Sequence, residues 1–264
     1  MELDLYFQPL ENFEIQENTI GFKSDIHFKE FPDWESSDIV LLSINEKRGD
    51  IDYKQGDFDH RSVREIFYQF KWDAKTKIAD LGVLQAGAEI RDTYLALKEI
   101  TSCVQKKQKF LIIIGGTQDL TYANYLGYED LEQTVNLTCI DRCFDVAIEQ
   151  ESDINKDNFI NHLLLHHPSI LFNFSILGFQ KYYVGSNQFR FFDDLYFDYM
   201  RLGELNSSIE KAEPILRNSD ILSVDLSAFK SADFKSSISS GPNGFFANEM
   251  CQLMKYAGIS DKLS

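Results

Sequence analysis

Five runs of this chain are mostly apolar: residues 38–44, 109–114, 134–140, 169–177 and 220–224. Strands with one wet face alternate apolar and polar residues, whereas a continuous apolar run marks a strand buried on both faces. Residues 78–84 and 182–184 are weaker candidates of the same kind. Between the runs lie stretches with apolar residues at helical spacing. They cover 60–72 (Val63, Phe67 and Phe70 on one side), 86–105, 120–126, 157–166, 193–205, 207–216 and 244–256. Buried strands alternating with amphipathic helices predict an α/β protein with a mostly parallel sheet.

With 264 residues and no Gly/Ser-rich linker, the chain reads as one domain over 38–264, preceded by an extension, 1–37. The extension carries Tyr6, Phe7, Phe13 and Phe22, and this aromatic content predicts that it packs on the domain. Lys and Arg number 26 against 42 Asp and Glu, a formal net charge of −16. Such a surface repels phosphate backbones and anionic lipid heads, so nucleic acid and membrane are excluded as expected partners. No run approaches the ~18 apolar residues of a membrane span. Cys103, Cys139, Cys143 and Cys251 form no C-x-x-C pair. We read them as reduced thiols of a cytoplasmic chain.

Ligands of parallel sheets gather at the carboxyl ends of the strands. After the 109–114 run comes Gly115-Gly116-Thr117-Gln118-Asp119, which matches neither a dinucleotide fingerprint nor a P-loop. The 134–140 run leads into Asp141-Arg142-Cys143-Phe144-Asp145, and 220–224 into Asp225-Leu226-Ser227. Aspartates that converge from separate strand ends call for a cation or for raised pKa values. On spacing alone they read equally as helix caps and turn formers.

The order of these segments resembles the ureohydrolase superfamily of arginases, agmatinases and formimidoylglutamases. That family carries G-G-D-H-S, then D-A-H-x-D, then D-x-D, each after a strand. Here the counterparts are Gly115 to Asp119, Asp141 to Asp145, and Asp225 to Ser227. Ile78-Ala79-Asp80-Leu81-Gly82, Arg64 and Gly241 to Glu249 resemble further family segments. The long extension and Leu177-Gly178-Phe179-Gln180 resemble the formimidoylglutamase branch. The resemblance implies a three-layer α/β/α, arginase-like fold that holds two manganese ions. It also implies hydrolysis of a C–N bond in a small linear amidine, and a possible homo-oligomer. The family's last strand, which follows the helix matching residues 248–256, has no counterpart before Ser264, so the sheet is expected to lack it.

Carried over residue by residue, the metal positions are Gln118, Asp141, Cys143, Asp145, Asp225 and Ser227. Amide, thiol and hydroxyl replace two imidazoles and a carboxylate at 118, 143 and 227. One site would keep Asp141, Asp145 and Asp225 with the Gln118 carbonyl oxygen, hard ligands that suit Mn²⁺. The other, with Cys143 and Ser227, is expected to be empty. Glu249 matches the family carboxylate that faces the substrate's cationic nitrogen, and otherwise reads as a helix-surface acid. His162 is a surface or capping histidine. Arg142, where the family has alanine, could pair with Asp141 or Asp119 in place of a cation. The expectation is an arginase-family hydrolase with impaired or absent activity, acting with one manganese ion or none. The alternative is a non-catalytic pseudoenzyme used for binding or assembly.

Overall fold

The computed structural model describes residues 3–50, 59–72, 75–147, 153–233 and 241–264. The chain folds into two compact units, Met1–Leu131 with Ser264, and Glu132–Leu263. In chain order the first holds β1 (Phe7–Gln8), α1 (Ile20–Lys23), β2 (Asp25–Ile26), β3 (Ile39–Ile44), α2 (His60–Phe67), β4 (Ile78–Leu84), α3 (Ile90–Lys106), β5 (Phe110–Ile114) and α4 (Leu120–Leu126). The strands form a sheet in the order β1-β4-β3-β5, with β2 also on β4. β3 is parallel to β4 and β5, while β1 is antiparallel.

β4 is a weak candidate in the sequence, because Asp80 and Gly82 interrupt its apolar run. In the structure β1, β2 and β3 all pair with it. Asp80 is fully buried and fully used. Arg64 of α2 donates to it through Nε (2.6 Å) and Nη2 (2.9 Å), and Tyr68 through its hydroxyl (2.5 Å). The Gly82 N–H adds a fourth bond at 2.9 Å. Arg64 also donates to Ser43 Oγ of β3 at 2.9 Å, so one guanidinium ties α2 to two strands. Gly82, at φ +92°, lies where β4 carries one extra residue against β3. A Cβ there would come within 2.3 Å of the Gln8 carbonyl oxygen, so only glycine fits.

The pairing of Arg64 with Asp80 also decides which side of α2 is buried. The helix ends at Phe67, short of the expected 72, and buries Arg64 while Val63 and Phe70 stay exposed. The residues before β3 pack on this unit. Phe7 is buried, Phe13 stacks on Tyr68 at 5.7 Å, and the Tyr6 hydroxyl donates to Glu99 at 2.7 Å. Phe22 remains exposed.

The second unit holds β6 (Val135–Ile140), α5 (Phe159–Leu165), β7 (Leu171–Phe179), α6 (Ser186–Asp194), β8 (Asp198–Arg201), α7 (Leu202–Ser207), α8 (Glu213–Arg217), β9 (Ile221–Val224) and α9 (Ala247–Ala257). Its sheet is wholly parallel, in the order β8-β7-β6-β9. Two expectations are corrected here. Residues 193–205 do not form one helix: α6 stops at Asp194, and Tyr199 and Met200 pair with β7 before α7 begins. Residues 182–184 are no strand, since Lys181–Tyr183 is a single 3-10 turn. One cluster packs Leu177 of β7 and Ile140 of β6 against Leu202, Leu205, Leu216, Met250 and Leu253 of α7, α8 and α9. A second, aromatic cluster gathers Phe144, Phe174, Phe179, Phe189, Phe192, Phe197 and Tyr199.

The architecture is a three-layer α/β/α fold with mostly parallel strands. Among the described residues β5 pairs with β3 alone and β9 with β6 alone. No described helix is long and apolar enough to cross a membrane.

Removing one partner of a buried ion pair strands the other charge and typically costs ~3–5 kcal/mol. Arg64→Met should therefore lower unfolding free energy by about that much in a denaturant titration. The double variant Arg64→Met, Asp80→Leu should recover part of the loss. A single-variant loss below about 1 kcal/mol, the range of surface pairs, would show that the pair does not hold α2 to the sheet.

Candidate metal centre

Burial of β6 between its two neighbours sets the site. Leu137 to Ile140 of β6 run in register with Ile221 to Val224 of β9, so the next residues, Asp141 and Asp225, leave adjacent strands at one level. Both are held by backbone bonds that prolong the sheet. The Asp141 N–H donates to Leu177 O and the Asp225 N–H to Ile140 O, each at 3.0 Å.

Beyond Asp141 the loop is nailed down by Phe144, which enters the aromatic cluster and stacks on Phe192 at 4.3 Å. Gln188 of α6 donates to the carbonyl oxygens of Phe144 and Val146, both at 2.8 Å. With Phe144 turned into the core, Cys143 and Asp145 face Asp141. Ligand atoms of Asp141, Cys143 and Asp145 all lie within 4.8 Å of one another. Cys143 Sγ donates to Asp145 Oδ1 at 3.3 Å and is 3.6 Å from Asp141 Oδ1, which also accepts the Cys143 N–H at 3.2 Å.

Asp141 and Asp145 are almost inaccessible, at 1% and 6% exposure. Burial first, and then the charges of Asp141 and Asp225, push the Asp145 carboxyl well above the usual carboxylate range. The Cys143 thiol is pushed up by burial and by Asp145, Asp141 and Asp225 in turn. A thiol held in its protonated form is a poor nucleophile.

Asp225 is half-buried and accepts the Ser227 N–H at 2.5 Å, capping a 3-10 turn. Ser227 thus meets Asp225 through its backbone. Glu249 stands in the first turn of α9, where Oε2 accepts the Phe246 N–H at 2.8 Å in a capping arrangement. The Arg142 guanidinium lies over the Tyr183 ring, 4.6 Å from its centre. Next to it Gln180 donates to Asn243 O at 3.2 Å and accepts from the Tyr182 hydroxyl. Sequence reasoning names Arg142 and Gln180 but misses their meeting with the two tyrosines. The tyrosine pair reads locally as a weak strand, which hides that meeting.

Gln118 belongs to the first unit, on the loop that follows β5. Gly115 and Gly116 there take φ +87° and +78°. The backbone carbonyl oxygen of Gln118 accepts the Thr121 N–H at 2.9 Å, and its side-chain Nε2 is buried without a hydrogen-bond partner. In the same loop Asp119 is fully buried, its carboxyl raised mainly by that burial, and the Tyr94 hydroxyl donates to it. The sequence names Asp119 only as a partner for Arg142 and gives no sign of its burial against Tyr94.

No protein-family model matches the chain, and no curated protein matches it by sequence. Solved structures do match by fold. A formimidoylglutamase from Bacillus subtilis superposes with a TM-score of 0.81 at 12% identity, over 98% of this chain and 86% of its own. The formiminoglutamase of Trypanosoma cruzi, solved with Mn²⁺, gives 0.78 at 18% identity over 87% and 83%. The agmatine ureohydrolase of Thermoplasma volcanium gives 0.70 at 17% over 84% and 78%. The chain therefore has the arginase-like fold that these enzymes share.

The pH dependence of stability follows from Asp145. A carboxyl whose folded pKa is raised keeps its proton longer in the native state than in the unfolded chain. Its contribution is complete below the unfolded value of about 3.9 and is lost as pH rises through the folded one. In chelator-treated protein, Asp145→Asn should be more stable than wild type at pH 8. The gap should close towards pH 4 in parallel denaturant titrations. A gap that is constant with pH would refute the raised carboxyl.

Proposed function

We propose that the chain is a metal-dependent hydrolase of the ureohydrolase kind, acting on a C–N bond of a small linear amidine with a weakened metal centre. The observation that carries this reading is the gathering of Asp141, Cys143 and Asp145 at the end of β6, level with Asp225 at the end of β9. The fold of formimidoylglutamases and an agmatine ureohydrolase supports the reaction class.

The donor chemistry fits one hard divalent ion. Asp141, Asp145 and Asp225 supply the carboxylate oxygens that Mn²⁺ prefers, and a cation among them relieves the repulsion that adds to burial in raising Asp145. It does not fit a manganese pair, because a thiol at 143 and a serine at 227 are poor partners for a second hard ion. When bound, the ion supplies Lewis acidity and an activated water. The chain's own residues do the rest. Phe144 and Gln188 hold the ligand loop rigid, and burial of Asp141 and Asp145 keeps bulk water from the carboxylates. In this reading Glu249 meets the substrate's cationic nitrogen through Oε1, because Oε2 is spent on the helix cap.

A second reading, a non-catalytic binding module, draws on the hydrogen bond from Cys143 to Asp145. With the thiol and the raised carboxyl both protonated, the cluster sheds one of its three carboxylate charges without any cation.

Elemental analysis after loading with manganese and desalting separates the two. About one ion per wild-type chain, lost in a folded Asp141→Ala variant as judged by circular dichroism, is the expected result. With it we expect slow hydrolysis of formimidoylglutamate or a related amidine that is abolished by the same variant. A folded wild-type chain that retains no ion would favour the binding module.

A further inference from the structure

Cys143 is the one donor at this site whose chemistry differs in kind from the rest. Its sulfur sits between two carboxylates, 3.3 Å from Asp145 Oδ1 and 3.6 Å from Asp141 Oδ1. Its position has little freedom. The Cys143 N–H is bonded to Asp141, and the next residue is locked into the aromatic cluster. Two ligands of a single zinc-sized ion stand ~2.0–2.3 Å from it, so they span at most about 4.6 Å. The three donor atoms lie within 4.8 Å of one another, a spread that one ion closes with little movement. An ion held jointly by Asp141 Oδ1 and Asp145 Oδ1 therefore lies within reach of the sulfur between them.

Manganese is a poor match for that sulfur. It favours carboxylate, carbonyl and water, whereas thiolate ligands select softer ions such as zinc. We propose that Cys143 Sγ is a ligand of the bound ion, and that this chain takes a thiophilic divalent ion, zinc or cobalt, in preference to manganese. The inference rests on the metal centre of the preceding section and changes its occupant. On binding, the S–H bond breaks, the sulfur's electron pair forms the bond to the ion, and the proton leaves to the buffer. Nothing is oxidised or reduced. The thiol proton that now bridges to the carboxylates holds the place that the ion takes.

Zinc outbinds manganese at almost any protein site, so that preference alone proves nothing. The test is how the preference depends on the sulfur. The full chain, stripped with chelator and carrying Cys251→Ser because Cys251 is exposed, is titrated with Co²⁺, Zn²⁺ and Mn²⁺. The same is done with Cys143→Ser added. We expect a near-ultraviolet sulfur-to-cobalt charge-transfer band that Cys143→Ser abolishes. Zinc affinity should fall by at least about tenfold, the lower bound for losing even an outer-shell partner. Manganese affinity should barely move, so the zinc-to-manganese ratio should drop by the same factor. Cobalt binding without the band, or a ratio unchanged by Cys143→Ser, would overturn sulfur ligation and leave the carboxylate site standing. A folded chain that binds none of the three ions by elemental analysis would overturn both.

Discussion

Two buried carboxylates and a thiol gather at the end of β6, level with Asp225 at the end of the adjacent β9, and the second unit is arranged around the consequences. Two like charges ~4 Å apart repel by about 4 kcal/mol at an effective dielectric of ~20. The chain cannot avoid this by moving the residues. Asp141 and Asp225 leave β6 and β9 at the level that the sheet register dictates, and burial of apolar side chains maintains that register. Phe144, stacked into the aromatic core, then returns Asp145 to the same point. The packing energy of the sheet and cluster is thus what holds the charges together, and a cation or protons must balance them.

The first unit shows how the same fold treats an acid that is purely structural. Asp80 is as deeply buried as Asp141, yet it has the Arg64 fork, the Tyr68 hydroxyl and the Gly82 N–H for company. Its negative charge is matched within the protein, and the pair ties a helix to two strands. Asp145 meets a thiol and the charges of Asp141 and Asp225 instead, and its carboxyl is raised. The contrast between a matched and an unmatched buried aspartate separates scaffold from site more clearly than residue type does.

Likeness of fold to formimidoylglutamases and an agmatine ureohydrolase, at identities of 12% to 18%, speaks for a scaffold and leaves the chemistry to the residues on it. At the positions that the resemblance aligns with the family's metal ligands, this chain carries an amide at 118, a thiol at 143 and a hydroxyl at 227. The scaffold keeps the point where the strand ends meet.

Much of this was legible in the sequence, for local reasons. Continuous apolar runs announced the buried parallel strands, and the polar residues after them announced Asp141, Cys143, Asp145 and Asp225, because a strand end must be followed by groups that meet solvent or a ligand. What the sequence obscured was each place where a distant partner overrides local pattern. β4 looked weak because Asp80 and Gly82 break its run, and only Arg64 and the Gln8 backbone explain them. Residues 193–205 looked like a helix because the short pairing of Tyr199 and Met200 with β7 leaves almost no periodic signal. By itself the sequence determined the class of fold and the donors available, since both follow from side-chain polarity read along the chain. Only the tertiary structure decided that Phe144 turns inward, that Cys143 falls between two carboxylates, and that Asp80 is matched while Asp145 is not. Those outcomes depend on which side chains meet across the sheet, and that is set by packing between residues far apart in the chain.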